Sequence, residues 1–150
     1  MSGFLLDTSV LSAFAPDRAA LPPIFGDWLA KIGRGEAWHL PVIAAGEVQK
    51  GVAKLRRAGG EKRAQRLEEW LERILSEFGE RVLPVTAAIA RKAGEMEDKA
   101  LAEGRHPGLA DILIACTAIE HRLTVLTTNN RHFDVLGVAH INPMAVPSDP

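Results

Sequence analysis

Short apolar runs alternate with helix-like segments along the chain, and this alternation constrains the fold most strongly. Strands that alternate with helices form a parallel sheet with helices on both faces. The chain is therefore predicted to be an α/β protein with three α/β/α layers and a central parallel β-sheet. Strands are predicted at GFLLD (3–7), WHLPV (38–42), RVLPV (81–85) and LTVLT (123–127), with a fifth over 139–141. Helices are predicted near 24–32 and over 44–57, 61–78, 86–103 and 109–121.

Length and composition limit the protein class. The 150 residues correspond to one domain over 1–150, with an extended tail from about residue 143. The apolar runs are far shorter than the roughly 20 residues that cross a bilayer, and the N-terminus does not resemble a signal peptide. A single cysteine excludes an internal disulfide and fits a reducing cytoplasm. The net charge of −1 gives no global support to nucleic-acid binding.

Polar side chains follow the predicted strands. Asp7 comes directly after the first strand, Glu47 lies a few residues beyond the second, and Asn129 follows the fourth. Asp111 opens the helix that precedes the fourth strand. Because ligands of open α/β sheets bind at the carboxyl ends of the strands, these groups converge if strands one and four are neighbours.

Converging carboxylates predict a metal. Two bare charges about 4 Å apart repel by roughly 4 kcal/mol at an effective dielectric constant near 20, and a divalent cation removes that repulsion. Oxygen ligands suit Mg²⁺ or Mn²⁺ rather than zinc. Mg²⁺ held by a few acids activates water and stabilises a phosphate, so the pattern predicts metal-assisted phosphodiester hydrolysis.

Each of these residues also has a simpler explanation. Asp7 is a good cap for the next helix, and Glu47 is a plausible solvated helix residue. Asp111 can stabilise the N-terminus of its own helix through the dipole. Asn129 and Asn130 form a common turn pair. Only their shared position at strand ends favours a joint function.

Four stretches in order resemble the PIN-domain family, and more narrowly the VapC-type toxins close to the FitB-like branch. FLLDTSVLS at 4–12 resembles the opening motif, and VIAAGEVQKGVAKL at 42–55 resembles the second, a glutamate followed four residues later by glycine. LADILIACTAIEHRLTVLTTNNRHF at 109–133 resembles the third and fourth motifs together. INPM at 141–144 resembles the closing asparagine–proline pair.

The resemblance implies a ribonuclease that depends on Mg²⁺ or Mn²⁺. Many relatives have an asparagine or a fourth acid at the position of Asn129, and aspartate where this chain has His132. The histidine at position 132 in place of an aspartate bears on whether the site holds a second metal ion. The family's remaining site positions correspond to Asp7, Glu47 and Asp111 as metal-binding acids and to Thr8 or Ser9 as the hydroxyl beside the first acid.

The resemblance also implies partners: an RNA substrate, a second copy of the chain in a homodimer, and an antitoxin encoded nearby. In relatives the C-terminal segment of the antitoxin lies across the acidic site and often places an arginine among the carboxylates.

Two other functions remain open from the sequence. One is a non-catalytic PIN-type interaction module that binds RNA, or operator DNA together with its partner; the neutral Asn129 keeps this alternative open. The other is a receiver-like phospho-acceptor domain, which expects paired acids after strand one and a lysine after the last strand, and this sequence has neither.

A basic stretch runs from Lys50 to Arg66, with seven basic residues against the single acid Glu61 and a local charge of +6. It is suited to RNA phosphates, or it is simply a solvated surface of two helices. The stretch has no interleaved aromatic residues, so it does not indicate base stacking.

Overall fold

The computed structural model describes residues 3–18, 23 and 38–143. The helix predicted near 24–32 and the tail beyond 143 lie outside these residues. The strands are β1 Phe4–Leu6, β2 Trp38–Pro41, β3 Val82–Leu83, β4 Thr124–Leu126 and β5 His140–Ile141. The helices are α1 Thr8–Ser12, α2 Val42–Arg57, α3 Glu61–Phe78, α4 Ala87–Ala102, α5 Leu109–His121 and α6 Asn130–Asp134.

The five strands form one sheet in the order β3-β2-β1-β4-β5. Every pairing is parallel. Strand β1 is central, and it pairs with β4 in a register that sets Leu6 opposite Leu126. The sequence-based expectation that strands one and four are neighbours is therefore confirmed.

Alternating strand residues build two separate cores, one on each face of the sheet. On one face Leu5 and Val125 pack with buried residues of α4 and α5, including Ile89 and Ile112. On the other face Leu6, Leu126 and Leu40 pack with buried residues of α1, α2 and α3. This arrangement is the predicted α/β/α fold with a parallel sheet.

Element boundaries depart from the predictions where local geometry intervenes. Helix α2 begins at Val42, two residues earlier than predicted, with Pro41 at its N-cap. Strand β3 is only two residues long, because a 3₁₀ turn over Gly79–Arg81 precedes it and Pro84 follows it. The short helix α6 was not predicted, since five residues without a side-chain cap leave little periodic signal.

The basic stretch lies along α2 and α3. Arg56 pairs with Glu61 at 2.9 Å and with Glu68 at 3.5 Å, and Arg66 pairs with Asp17 at 2.8 Å. These pairs are exposed and neutralise part of the local charge, which weakens the case for a strong phosphate-binding surface there. In the described part of the chain, no helix is both long enough and apolar enough to cross a membrane.

Candidate active site

The carboxyl ends of β1 and β4 meet at the centre of the sheet and position the first acid. The backbone N–H of Asp7 donates to the carbonyl of Leu126 at 2.8 Å. The two-strand register thus continues one residue beyond each strand and sets Asp7 beside Thr127.

Asp7 is 4% exposed, and its carboxylate accepts three hydrogen bonds. Its Oδ1 accepts the backbone N–H of Thr8 at 2.8 Å, so Asp7 caps helix α1. Its Oδ2 accepts the hydroxyls of Ser9 and Thr127, each at 2.8 Å. Asp7 therefore does cap the helix, as the simpler explanation held, and it is also held rigidly at the edge of a cleft.

Thr127 is a site residue that the sequence analysis missed. It is fully buried, and its hydroxyl accepts the backbone N–H of Asn129 at 2.9 Å while donating to Asp7. The backbone N–H of Thr128 donates to the hydroxyl of Ser9 at 3.1 Å. The sequence signal that could have identified Thr127 is its position, because Thr127 directly follows β4 as Asp7 directly follows β1.

Glu47 lies on α2 and is exposed, in keeping with a solvated helix residue. Its carboxylate nevertheless turns toward the start of α1, where Oε1 accepts a hydrogen bond from the hydroxyl of Thr8 at 2.6 Å. The two hydroxyls after Asp7 thus have different partners: Thr8 holds Glu47, and Ser9 holds Asp7.

Asp111 is in the first turn of α5 and is partly buried. Its Oδ2 lies 2.9 Å from Nδ1 of His132, a residue of α6. Burial raises the pKa of Asp111 above its ordinary value, the negative charge of Asp7 raises this pKa further, and His132 offsets part of the shift. The negative charges of Asp7 and Asp111 therefore repel each other, and the cleft disfavours a second carboxylate in its charged form.

One cleft of about 610 Å³ brings the predicted residues together. Its lining includes Asp7, Thr8, Ser9, Glu47, Asp111 and Asn129, the complete predicted set, together with Arg18 and His132. Within the described ranges, however, no three His, Cys, Asp or Glu side chains are arranged so that they could hold one metal ion. Glu47 points to Thr8 and Asp111 to His132 instead.

Hard oxygen donors dominate this cleft, which is the chemistry that Mg²⁺ and Mn²⁺ prefer. Burial and then the charge of Asp7 raise the pKa of Asp111, so the cleft disfavours the charged carboxylate when no cation is bound. The chemistry of the donor set therefore fits such an ion, and binding by all three acids requires both Glu47 and Asp111 to exchange their present partners for the metal.

Comparison with known proteins gives a consistent family assignment. The family model for the PIN domain matches residues 4–138. Ribonuclease VapC10 of Mycobacterium tuberculosis is 34% identical over 121 residues, covering 81% of this chain and 80% of that protein. Toxin FitB of Neisseria gonorrhoeae is 32% identical over 139 residues, covering 93% and 96% respectively.

A solved structure described as FitAB bound to an IR36 DNA fragment superimposes with a TM-score of 0.79 and 32% identity. The match covers 96% of this chain and 97% of that one. With nearly its whole length matched by one family model, and with the α/β/α fold shared by a solved relative, the chain belongs to the PIN domain family.

Proposed function

We propose that this protein is an endoribonuclease that depends on Mg²⁺ or Mn²⁺ and serves as the toxin of a toxin–antitoxin pair. The observation that carries the proposal is the convergence of Asp7, Glu47 and Asp111 on one cleft. Relatives named ribonuclease VapC10 and toxin FitB supply the substrate class and the biological role.

Asp7, Glu47 and Asp111 are the residues that would hold the metal. When bound, the ion supplies an activated water and stabilises negative charge on the phosphodiester. The chain's own contribution is orientation: Ser9 and Thr127 fix the Asp7 carboxylate, and Thr8 holds Glu47 at the edge of the cleft. Asn129 lines the cleft with a neutral amide that can donate to substrate without adding repulsion.

The partners follow from the same cleft. A pocket lined by several carboxylates accepts a guanidinium as well as a metal. An antitoxin segment carrying an arginine would therefore exclude both the metal and the scissile phosphate. A homodimer and a cytoplasmic location remain part of the proposal. The homodimer rests on the family resemblance, and the location rests on the single cysteine, which fits a reducing compartment.

Cleavage of a labelled RNA by the purified chain tests the activity. Wild type is expected to cut with Mg²⁺ or Mn²⁺ and to stop in EDTA. Asp111→Asn is expected to lose cleavage, whereas Asp98→Asn, an exposed acid on α4, should cut at the wild-type rate. Activity that persists in EDTA, or an Asp111→Asn variant as fast as wild type, would contradict the proposed site.

A second candidate is an interaction module that binds RNA, or operator DNA together with its partner, without cutting. Two observations favour it: Asn129 is neutral, and His132 occupies an oxygen of Asp111. The solved FitAB structure bound to DNA shows that a relative has such a context. RNA binding without cleavage in either metal would favour this alternative.

A further inference from the structure

A second depression adjoins the acidic cleft and has the opposite charge. It measures about 420 Å³ and is lined by Arg105, His106, Arg131 and His132, among others. Gly108, Asp111 and His132 line both depressions, so the two form one continuous surface. An extended polymer that lies over Asp111 therefore has the basic depression directly beside it.

The four basic side chains are not equally available. His132 lies against Asp111 at 2.9 Å. Arg105 donates to the carbonyl of Val135 at 3.2 Å and lies 3.9 Å from Glu103, so its guanidinium is partly engaged. Arg131 is exposed and has no hydrogen bond or ion pair with any residue that the structure describes. Arg131 is thus the cation best placed to bind an external anion.

We propose that Arg131, supported by Arg105 and His106, forms a binding site for a backbone phosphate of single-stranded RNA next to the acidic cleft. This inference rests on the proposed ribonuclease function and adds to it a residue that positions the substrate. A phosphate near Asp111 is repelled by that carboxylate, so a strand needs compensating cations beside it. Guanidinium groups provide them, with paired donors that match phosphate oxygens.

The site predicts a specific salt dependence. Each phosphate contact on a single strand contributes about 0.7 to the slope of log affinity against log salt concentration. Loss of the Arg131 charge should weaken binding to all sequences alike and reduce that slope by about 0.7. A purely structural residue would not change the slope.

The test measures binding of a fluorescein-labelled, mixed-sequence single-stranded RNA by anisotropy, in EDTA to prevent cleavage and across a salt series. Arg131→Gln should bind several-fold more weakly with the reduced slope, and Arg131→Lys should keep most of the slope. Arg91→Gln, which removes an exposed arginine on α4 outside both depressions, is the matched control and should behave like wild type. His106→Gln removes the exposed side chain of a supporting residue, and it should also bind the RNA more weakly than wild type.

The outcomes separate the possible failures. If wild type binds and cuts RNA while Arg131→Gln and Arg91→Gln share one slope and one affinity, the phosphate site is wrong and the ribonuclease proposal stands. If wild type neither binds nor cuts this RNA, both proposals fail. If Arg131→Gln loses affinity for a glutamate-rich peptide but not for RNA, the depression binds an acidic protein segment, and the inference is overturned.

Discussion

At the scale of single residues, Asp7 both caps helix α1 and lines the acidic cleft as a proposed metal ligand. Its position in the sequence alone does not separate these two roles. Relief of repulsion predicts that Asp7→Asn folds at least as well as wild type. The three donors to its carboxylate alter that expectation, because an amide replaces one acceptor oxygen with a donor. An amide facing these groups leaves at least one buried donor without an acceptor.

We therefore expect Asp7→Asn to lower the free energy of unfolding by about 1–3 kcal/mol, the usual cost of an unsatisfied buried group. Asp98→Asn, the exposed control, should change it by less than about 0.5 kcal/mol. Urea unfolding at pH 7 in EDTA measures both. An Asp7→Asn variant as stable as wild type would show that repulsion from Asp111 outweighs the lost hydrogen bonds.

Substitution of Asp111 by asparagine should raise the free energy of unfolding rather than lower it, because the pKa of Asp111 is raised in the folded protein. The folded state then disfavours the charged form, and this penalty is complete above the folded pKa and absent well below the ordinary value of 3.8. Asp111→Asn should accordingly be more stable than wild type near pH 7 in EDTA, with a gain that shrinks as the pH falls toward 4. Unfolding titrations across this range, with Asp98→Asn in parallel, check the sign. A gain that stays constant on acidification would contradict the raised pKa.

At the scale of elements, the sequence predicts most helices and strands because periodic apolar residues decide them. Helices α3 and α5 have the predicted bounds: α3 carries a clear apolar stripe, α5 is apolar nearly all round, and each begins directly after a glycine. The predictions are less accurate where local geometry sets a boundary, as Pro41 does for α2 and the 3₁₀ turn does for β3. The hydroxyl of Thr127 and the pair between His132 and Asp111 could not be predicted for a different reason, because they are tertiary contacts. They depend on the β1–β4 register and on the unpredicted helix α6.

The turn between α2 and α3 offers an element-scale test. Gly59 has φ +89° and open space around the position of a Cβ atom, so Gly59→Ala is opposed by backbone strain alone and should cost about 1–2 kcal/mol. Gly94 lies inside helix α4 with open space and an ordinary φ, so Gly94→Ala should instead gain roughly 0.5–1 kcal/mol. Thermal unfolding of both variants measures the contrast. Equal effects of the two substitutions would show that the turn is not held in its left-handed conformation.

At the scale of the whole molecule, the net charge of −1 conceals a local separation of charge. The acids meet at the centre of the parallel sheet, where β1 and β4 end, and basic side chains adjoin them at Arg18 and around Arg131. A divalent cation held by these acids would bind to the folded state and not to the unfolded chain. It should therefore stabilise the entire fold by an amount set by its concentration and affinity.

This coupling predicts that the order of stability of two proteins reverses with the metal. In EDTA, Asp111→Asn should unfold at a higher temperature than wild type, because it lacks a penalised charge. With Mg²⁺ or Mn²⁺ at 100 times its dissociation constant, wild type should gain about 2.7 kcal/mol, whereas the variant, lacking a ligand, should gain much less. Differential scanning calorimetry of both proteins in EDTA and in each metal would show the crossing without any RNA present. Equal gains for wild type and Asp111→Asn would instead place the metal on a surface that Asp111 does not share.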